Sequence, residues 1–333
     1  MNLKNTSINL GLLCTTTVLF FIGIEFTLRI TGLQTVKPNP PKIYQVSEDS
    51  RISYELIPNI SRKAYRNTVT TNSIGFRSPE LDPNKETVII LGDSIAFGYG
   101  VKDEETLSRQ ISKRTSEYNF LNTAAPGYHL GMQTALYEKK LQQLNPAILM
   151  LIFHYNDFET QTGRLDELGI IRSQDWQPTE EKCNPINKGI LKYIPAKCWL
   201  DLNSAFYKTV KKVVNMRTMK NNLQVTREKS KNNSEEDSIT EEDIYAYKRQ
   251  LSKLSNLLPK KLNRIFVIWP DRFLHAKSRP VLKEMAEQEG FLVIDLYETF
   301  GNEAQTLDWD TVHPSPSTLE KAAKVIAEEL KKL

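Results

Sequence analysis

The chain has 333 residues, 40% of them apolar, with 44 Lys and Arg against 40 Asp and Glu for a formal net charge of +4. That length and apolar content suffice for a sizeable core, and the small, evenly mixed charge excludes a basic stripe, so no nucleic-acid partner is expected. The cysteines and scattered histidines lack the paired spacing of a zinc site, so no metal is expected either.

The first element is apolar. Ile8 to Ile24 (INLGLLCTTTVLFFIGI) carries no charge and continues as EFTLRITGL. With Phe26 to Ile30 added, it reaches the roughly 20 residues that cross a bilayer, so membrane contact is expected through residues about 8–30. Glu25 and Arg29 stand four apart and face each other on a helix. No small-x-small cleavage site follows, and Leu13 precedes Cys14 where a lipid attachment site wants a small residue. The expectation is an uncleaved signal-anchor with a cytoplasmic tip, residues 1–37. Lys4 on one side and Arg29, Lys37 and Lys42 on the other leave the orientation open. Cys183 and Cys198 either form a disulfide, which suits an oxidising compartment, or are unrelated thiols. An extracytoplasmic domain, periplasmic or at the cell surface, is the expectation.

PNPP at Pro38 to Pro41 reads as a stiff exit, and 38–86 as a linker and turn-rich lead-in segment. The pattern then alternates. TVIIL (Thr87 to Leu91), Asn119 to Asn122, AILMLIF (Ala147 to Phe153), IFVIW (Ile265 to Trp269) and Phe291 to Leu296 read as buried parallel strands. Helical stretches lie between them at about Glu104 to Arg114, Gln133 to Leu144 and Pro280 to Glu289, and Ser317 to Leu333 closes the chain. The expected fold is a three-layer α/β/α sandwich with a mainly parallel sheet of about five strands over 87–333, plus the N-terminal transmembrane helix. It is interrupted by an insertion at about 160–243. Met216 to Asp243 is too polar to order by burial, whereas the part with Trp176, Tyr193 and Trp199 has the makings of a cap.

Four short segments carry chemistry. Gly92-Asp93-Ser94 follows the first strand, placing a hydroxyl and backbone N–H groups in the crevice where open α/β sheets bind ligands. Gly127 lies beyond the second strand, where a glycine permits close backbone approach. Asn156 follows the third strand and offers a neutral amide donor. Before the last helix comes Asp310-Thr311-Val312-His313, where the carboxylate can turn back to fix the imidazole tautomer and leave the other nitrogen to take a serine proton. Asp93 and Asp157 read as loop-shaping carboxylates, and His129 and His154 as structural residues, with lining of the pocket as the alternative; His275 falls at the edge suited to substrate contact, with no partner visible in the sequence.

Ser94, Gly127, Asn156 and His313, with Asp310, resemble the four named blocks of the SGNH hydrolase (GDSL esterase/lipase) superfamily. TNSIGFRSPE, with Gly75 and Arg77, is similar to the lead-in of its membrane-tethered bacterial members. The third block departs from the usual Gly-x-Asn-Asp, because His154 holds the glycine position and Tyr155 precedes Asn156. The resemblance implies Ser94 as nucleophile, His313 as base, Asp310 as its orienter, and an oxyanion hole from Ser94, Gly127 and Asn156. It implies no cofactor. It implies an ester-bearing glycan or lipid as substrate, with hydrolysis as the leading activity. Transfer of the acyl group to a surface polysaccharide and a catalytically idle binding module are the alternatives.

Overall fold

Five of the apolar runs form one parallel sheet in the computed structural model, which describes residues 3–36, 40–158, 163–177, 183–187, 192–232 and 239–333. Pro38 and Asn39 of the expected stiff exit, and 233–238 of the polar stretch, lie outside the described residues. In chain order the elements begin with α1 (Leu3–Thr31) and four short strands, β1 (Tyr44–Val46), β2 (Tyr54–Leu56), β3 (Ser61–Ala64) and β4 (Asn67–Thr70). Then come β5 (Glu86–Leu91), α2 (Ser94–Phe97), α3 (Leu107–Ser112), β6 (Tyr118–Asn122), α4 (Leu130–Leu136), β7 (Ile148–Phe153), β8 (Arg164–Leu165) and β9 (Ile171–Arg172). The chain ends with α5 (Lys197–Asn203), α6 (Ala205–Asn232), α7 (Glu241–Leu257), β10 (Asn263–Ile268), α8 (Ser278–Gln288), β11 (Leu292–Asp295), α9 (Tyr297–Phe300) and α10 (Pro316–Leu330).

The sheet order is β11-β10-β7-β5-β6, and every neighbouring pair is parallel. α3 packs with α10, and α7 packs with both α4 and α8, giving the three-layer α/β/α sandwich. Strands covered on both faces need an unbroken apolar run, which β7 (ILMLIF) supplies with every residue buried. Each such side chain contributes roughly 1.5–3 kcal/mol by leaving water. α10 starts where the Ser315 side chain accepts from the Thr318 N–H and Pro316 presets the first turn. It then buries one stripe, Leu319, Ala322, Ala323, Ile326, Ala327 and Leu330.

The structure differs from the sequence reading in two segments. The lead-in is not only turns, since β1 pairs with β2 and β3 with β4 as antiparallel hairpins. In the insertion, α6 continues to Asn232 through half of the stretch judged too polar to order. Its Lys, Arg, Met, Gln and Leu residues favour helix, and its last turns gain bonds from outside. Arg227 Nη2 donates to the Ala304 carbonyl at 2.8 Å, and Asn302 Nδ2 donates to the Arg227 carbonyl at 3.1 Å. The Leu274 N–H donates to Ser230 Oγ at 2.9 Å. α7 opens on a reciprocal cap between Thr240 and Asp243.

By packing, the chain divides into two units, Met1–Asn39 with Gln177–Asn221, and Pro40–Trp176 with Asn222–Leu333. In the first, α1 contains a 24-residue stretch, Ile8–Thr31, with mean hydropathy 1.8, long and apolar enough to cross a membrane; a signal sequence has the same character. Glu25 pairs with Arg29 as expected, and it also accepts from Ser204 Oγ and from the N–H groups of Ala205 and Phe206, each at 2.9 Å. One carboxylate thus caps the first turn of α6. Cys183 and Cys198 form a disulfide.

In the second unit, Arg77 is buried between the lead-in and the sheet. Its guanidinium donates to the carbonyls of Phe97 (3.2 Å), Gly98 (2.7 Å) and Val101 (2.9 Å) and to the Asp103 carboxylate (2.8 Å), with the Phe97 ring beneath it. Arg77→Leu would take a donor from each of those carbonyls and remove the ion-pair partner of Asp103. It is expected to lower unfolding stability by about 3–5 kcal/mol in denaturant melts of the full chain in detergent.

Candidate active site

β5 runs straight into a tight turn. A Cβ on Gly92 would lie 2.6 Å from the Ala96 Cβ and 3.1 Å from the Ile152 carbonyl oxygen, so only glycine fits between β5 and β7 here. Asp93 then caps α2, its Oδ1 accepting from the Ile95 N–H at 2.8 Å. Asn122, at the end of β6, donates to the Ala96 carbonyl at 2.9 Å and ties the short helix to the neighbouring strand. Ser94 is left half-buried at the carboxyl edge of the sheet.

The loop between α9 and α10 brings the second component to that edge. Asp310 Oδ1 accepts from the N–H groups of Val312 (2.7 Å) and His313 (2.9 Å), while its Oδ2 lies 2.8 Å from His313 Nδ1. A carboxylate only accepts, so Nδ1 carries the proton and the Nε2 lone pair faces Ser94 Oγ, 3.0 Å away. Burial alone would raise the Asp310 pKa, but the bonds from the His313 ring and the two N–H groups bring it down to about 2. Tyr99 stacks on the imidazole with ring centres 4.1 Å apart.

The third strand delivers Asn156, whose Nδ2 donates to Asp93 Oδ2 at 2.9 Å. His154 Nδ1 lies 2.6 Å from Asn156 Oδ1, and because that oxygen only accepts, His154 is the donor. The amide is clamped from both ends, and its second N–H hydrogen remains free of Asp93. Gly127 follows β6 with φ +81°, a backbone that suits glycine, and a Cβ there would lie 2.8 Å from the Tyr54 hydroxyl. Of the five residues singled out in the sequence, Ser94, His313 and Asp310 are hydrogen-bonded in a row, and Asn156 joins them through Asp93. Gly127 lies at the same sheet edge, with no hydrogen bond to the other four among the described residues.

Asp93 and Asp157 do shape loops: Asp157 Oδ2 accepts from the His154 N–H at 3.1 Å. His129 caps α4, its Nδ1 accepting from the Gly131 N–H at 3.1 Å. His275 stacks face to face on Tyr155 with ring centres 3.4 Å apart, and its Nε2 lies 3.1 Å from Asp271 Oδ1, a partner the sequence did not disclose. Sequence reasoning also missed Tyr99 and the bond from His154 to Asn156. Only the substitution of His154 for the family's glycine hinted at either.

No family model matches the chain, and no curated protein matches it in sequence. Among solved structures it is similar to a member of the lipolytic G-D-S-L family from Veillonella parvula, at 14% identity and a TM-score of 0.41, with 74% of this chain and 100% of that one covered. 

A catalytic mutant of an acetylxylan esterase from Geobacillus stearothermophilus is similar at 14% identity and a TM-score of 0.41, with 75% of this chain and 96% of the esterase covered. A psychrotrophic esterase from a Pseudoalteromonas species is similar at 12% identity and a TM-score of 0.41, with 74% and 98% covered.

Asp157 provides a pH test of this edge. Its burial, and then the nearby Asp93 charge, push its pKa well above the ordinary carboxyl value. An acid raised in the folded state costs nothing below its unfolded pKa and costs progressively more stability as pH rises above it. Asp157→Asn, which keeps an acceptor for the His154 N–H, is therefore expected to melt higher than wild type at pH 7, with the gain vanishing near pH 4.

Proposed function

We propose that this chain is a membrane-anchored, extracytoplasmic serine esterase that hydrolyses acyl or acetyl esters through an acyl-serine intermediate. The row Ser94 Oγ, His313 Nε2 and Asp310 carboxylate, with contacts of 3.0 and 2.8 Å, carries this reading. Ser94 attacks the ester carbonyl as its proton passes to His313 Nε2, and the imidazolium is held by Asp310. His313 then gives that proton to the departing alkoxide, which leaves as the alcohol. Water enters, loses a proton to His313 and attacks the acyl-serine, and the carboxylic acid leaves as Ser94 regains its proton.

The negative charge that develops on the carbonyl oxygen falls to the Ser94 and Gly127 N–H groups and to the free amide hydrogen of Asn156. A donor aimed in advance costs no reorganisation when the charge appears. Asp93 and His154 supply that aim from opposite ends of the Asn156 amide. The α1 span supports the anchor, and the Cys183–Cys198 disulfide supports an oxidising compartment. An ester of a cell-envelope or extracellular glycan or lipid fits that placement.

A fluorophosphonate probe tests the reading on the full chain in detergent. Wild type is expected to label and Ser94→Ala to stay unlabelled; a folded wild type that does not label would refute the esterase. Asn156→Ala is expected to lower kcat by about 10²–10³. His154→Ala, which frees one end of the amide, is expected to lower kcat by about tenfold with little change in KM, measured on a small acetyl ester.

A further inference from the structure

A cavity of about 820 Å³ reaches Asn156 and, on the loop that carries His313, Thr311 and Val312. Its other walls come from Arg227 near the end of α6, from the start of α7, and from the segment after β10 that carries Asp271 and Arg272. Its walls mix these polar side chains with apolar ones such as Phe158, Ile239 and Phe273.

The charges in this cavity are unequal in their commitments. Asp243 is spent on the N–H and hydroxyl of Thr240. Asp271 Oδ1 accepts from the Phe273 N–H at 2.7 Å, from His275 and from the Tyr297 hydroxyl at 3.3 Å. Glu303, the other acid near Arg227, is paired with Lys231. Arg227 is half-buried and, among the described residues, makes one side-chain hydrogen bond, from Nη2 to the Ala304 carbonyl at 2.8 Å, while its Nε is buried without an acceptor. Among the described residues no carboxylate lies within ion-pair distance of Arg227 or of Arg272, whose guanidinium rests over the Phe273 ring. Asp271 and Glu303 act on Arg227 only across a distance. Among the described residues, the guanidinium donors of Arg227 and Arg272 at the cavity are therefore largely unmet.

A guanidinium drawn partly out of water is costly unless an anion meets it, and its planar fork matches a carboxylate or a phosphate. We propose that Arg227, with the more exposed Arg272, forms an anion subsite that binds a carboxylate or phosphate carried by the alcohol part of the substrate. Resting on the esterase reading above, this makes the preferred ester that of an acidic sugar, held by its charge while its acyl group lies at Ser94.

The test uses the full chain in detergent with three probes, D-glucuronate, D-glucose 6-phosphate and D-glucose. Binding is read by calorimetry and by protection of Ser94 against the fluorophosphonate. At least one acidic sugar is expected to bind wild type ten times or more tightly than glucose, and which one does so tells carboxylate from phosphate. In Arg227→Gln that preference is expected to fall to about twofold, with Arg227→Lys retaining part of it. Equal binding of all three sugars by wild type overturns the proposal even if a variant misfolds, as does a preference that survives in both Arg227→Gln and Arg272→Gln. A folded wild type that prefers the acidic sugar yet never labels would refute the esterase and leave the anion subsite standing.

Discussion

The loop that follows Ser94 is held by one buried guanidinium. Arg77 comes from the lead-in segment, outside the sheet, yet it binds the carbonyls that α2 and its exit leave without helical partners. A helix of four residues has almost no internal bonding with which to hold its own shape. Its geometry is imposed from outside, by Arg77 at its end, by Asn122 from the neighbouring strand and by Asp93 at its start. The position of the Ser94 hydroxyl is therefore a property of three separate segments, and the lead-in is part of the catalytic framework proposed here.

Asp93 links the two halves of the site. One oxygen caps α2 and the other accepts from Asn156, so a single carboxylate sets both the serine turn and the amide at the end of β7. This economy explains why the Gly-Asp-Ser triplet is uninformative alone yet decisive in context. The second oxygen of the aspartate has this work to do only when a third strand brings an amide to it.

Much of the fold was legible because parallel strands buried on both faces leave little choice of residue. β5, β7 and β10 read directly as apolar runs, and α10 as a capped stripe. The bond between Asp310 and His313 was legible for a different reason, because the two are close in sequence and it is nearly local, whereas Ser94 was tied to them through the resemblance of four short segments. Contacts that depend on side chains crossing between elements were not. Nothing in the order of residues places Tyr99 over His313, or Asp271 beside His275. The continuation of α6 escaped for a related reason. Composition measures how much a segment can bury, whereas the end of this helix is fixed by a few directed bonds to Ala304, Asn302 and Leu274.

The stacking of Tyr99 on His313 bears on motion rather than on binding. With one ring face covered, Nδ1 tied to Asp310 and Nε2 facing Ser94, the imidazole has few orientations left to explore. Proton transfer in such a site is a displacement of the hydrogen alone, with the heavy atoms already where the product needs them. The entropy of orienting the base is lost once, during folding, and not again in each catalytic cycle.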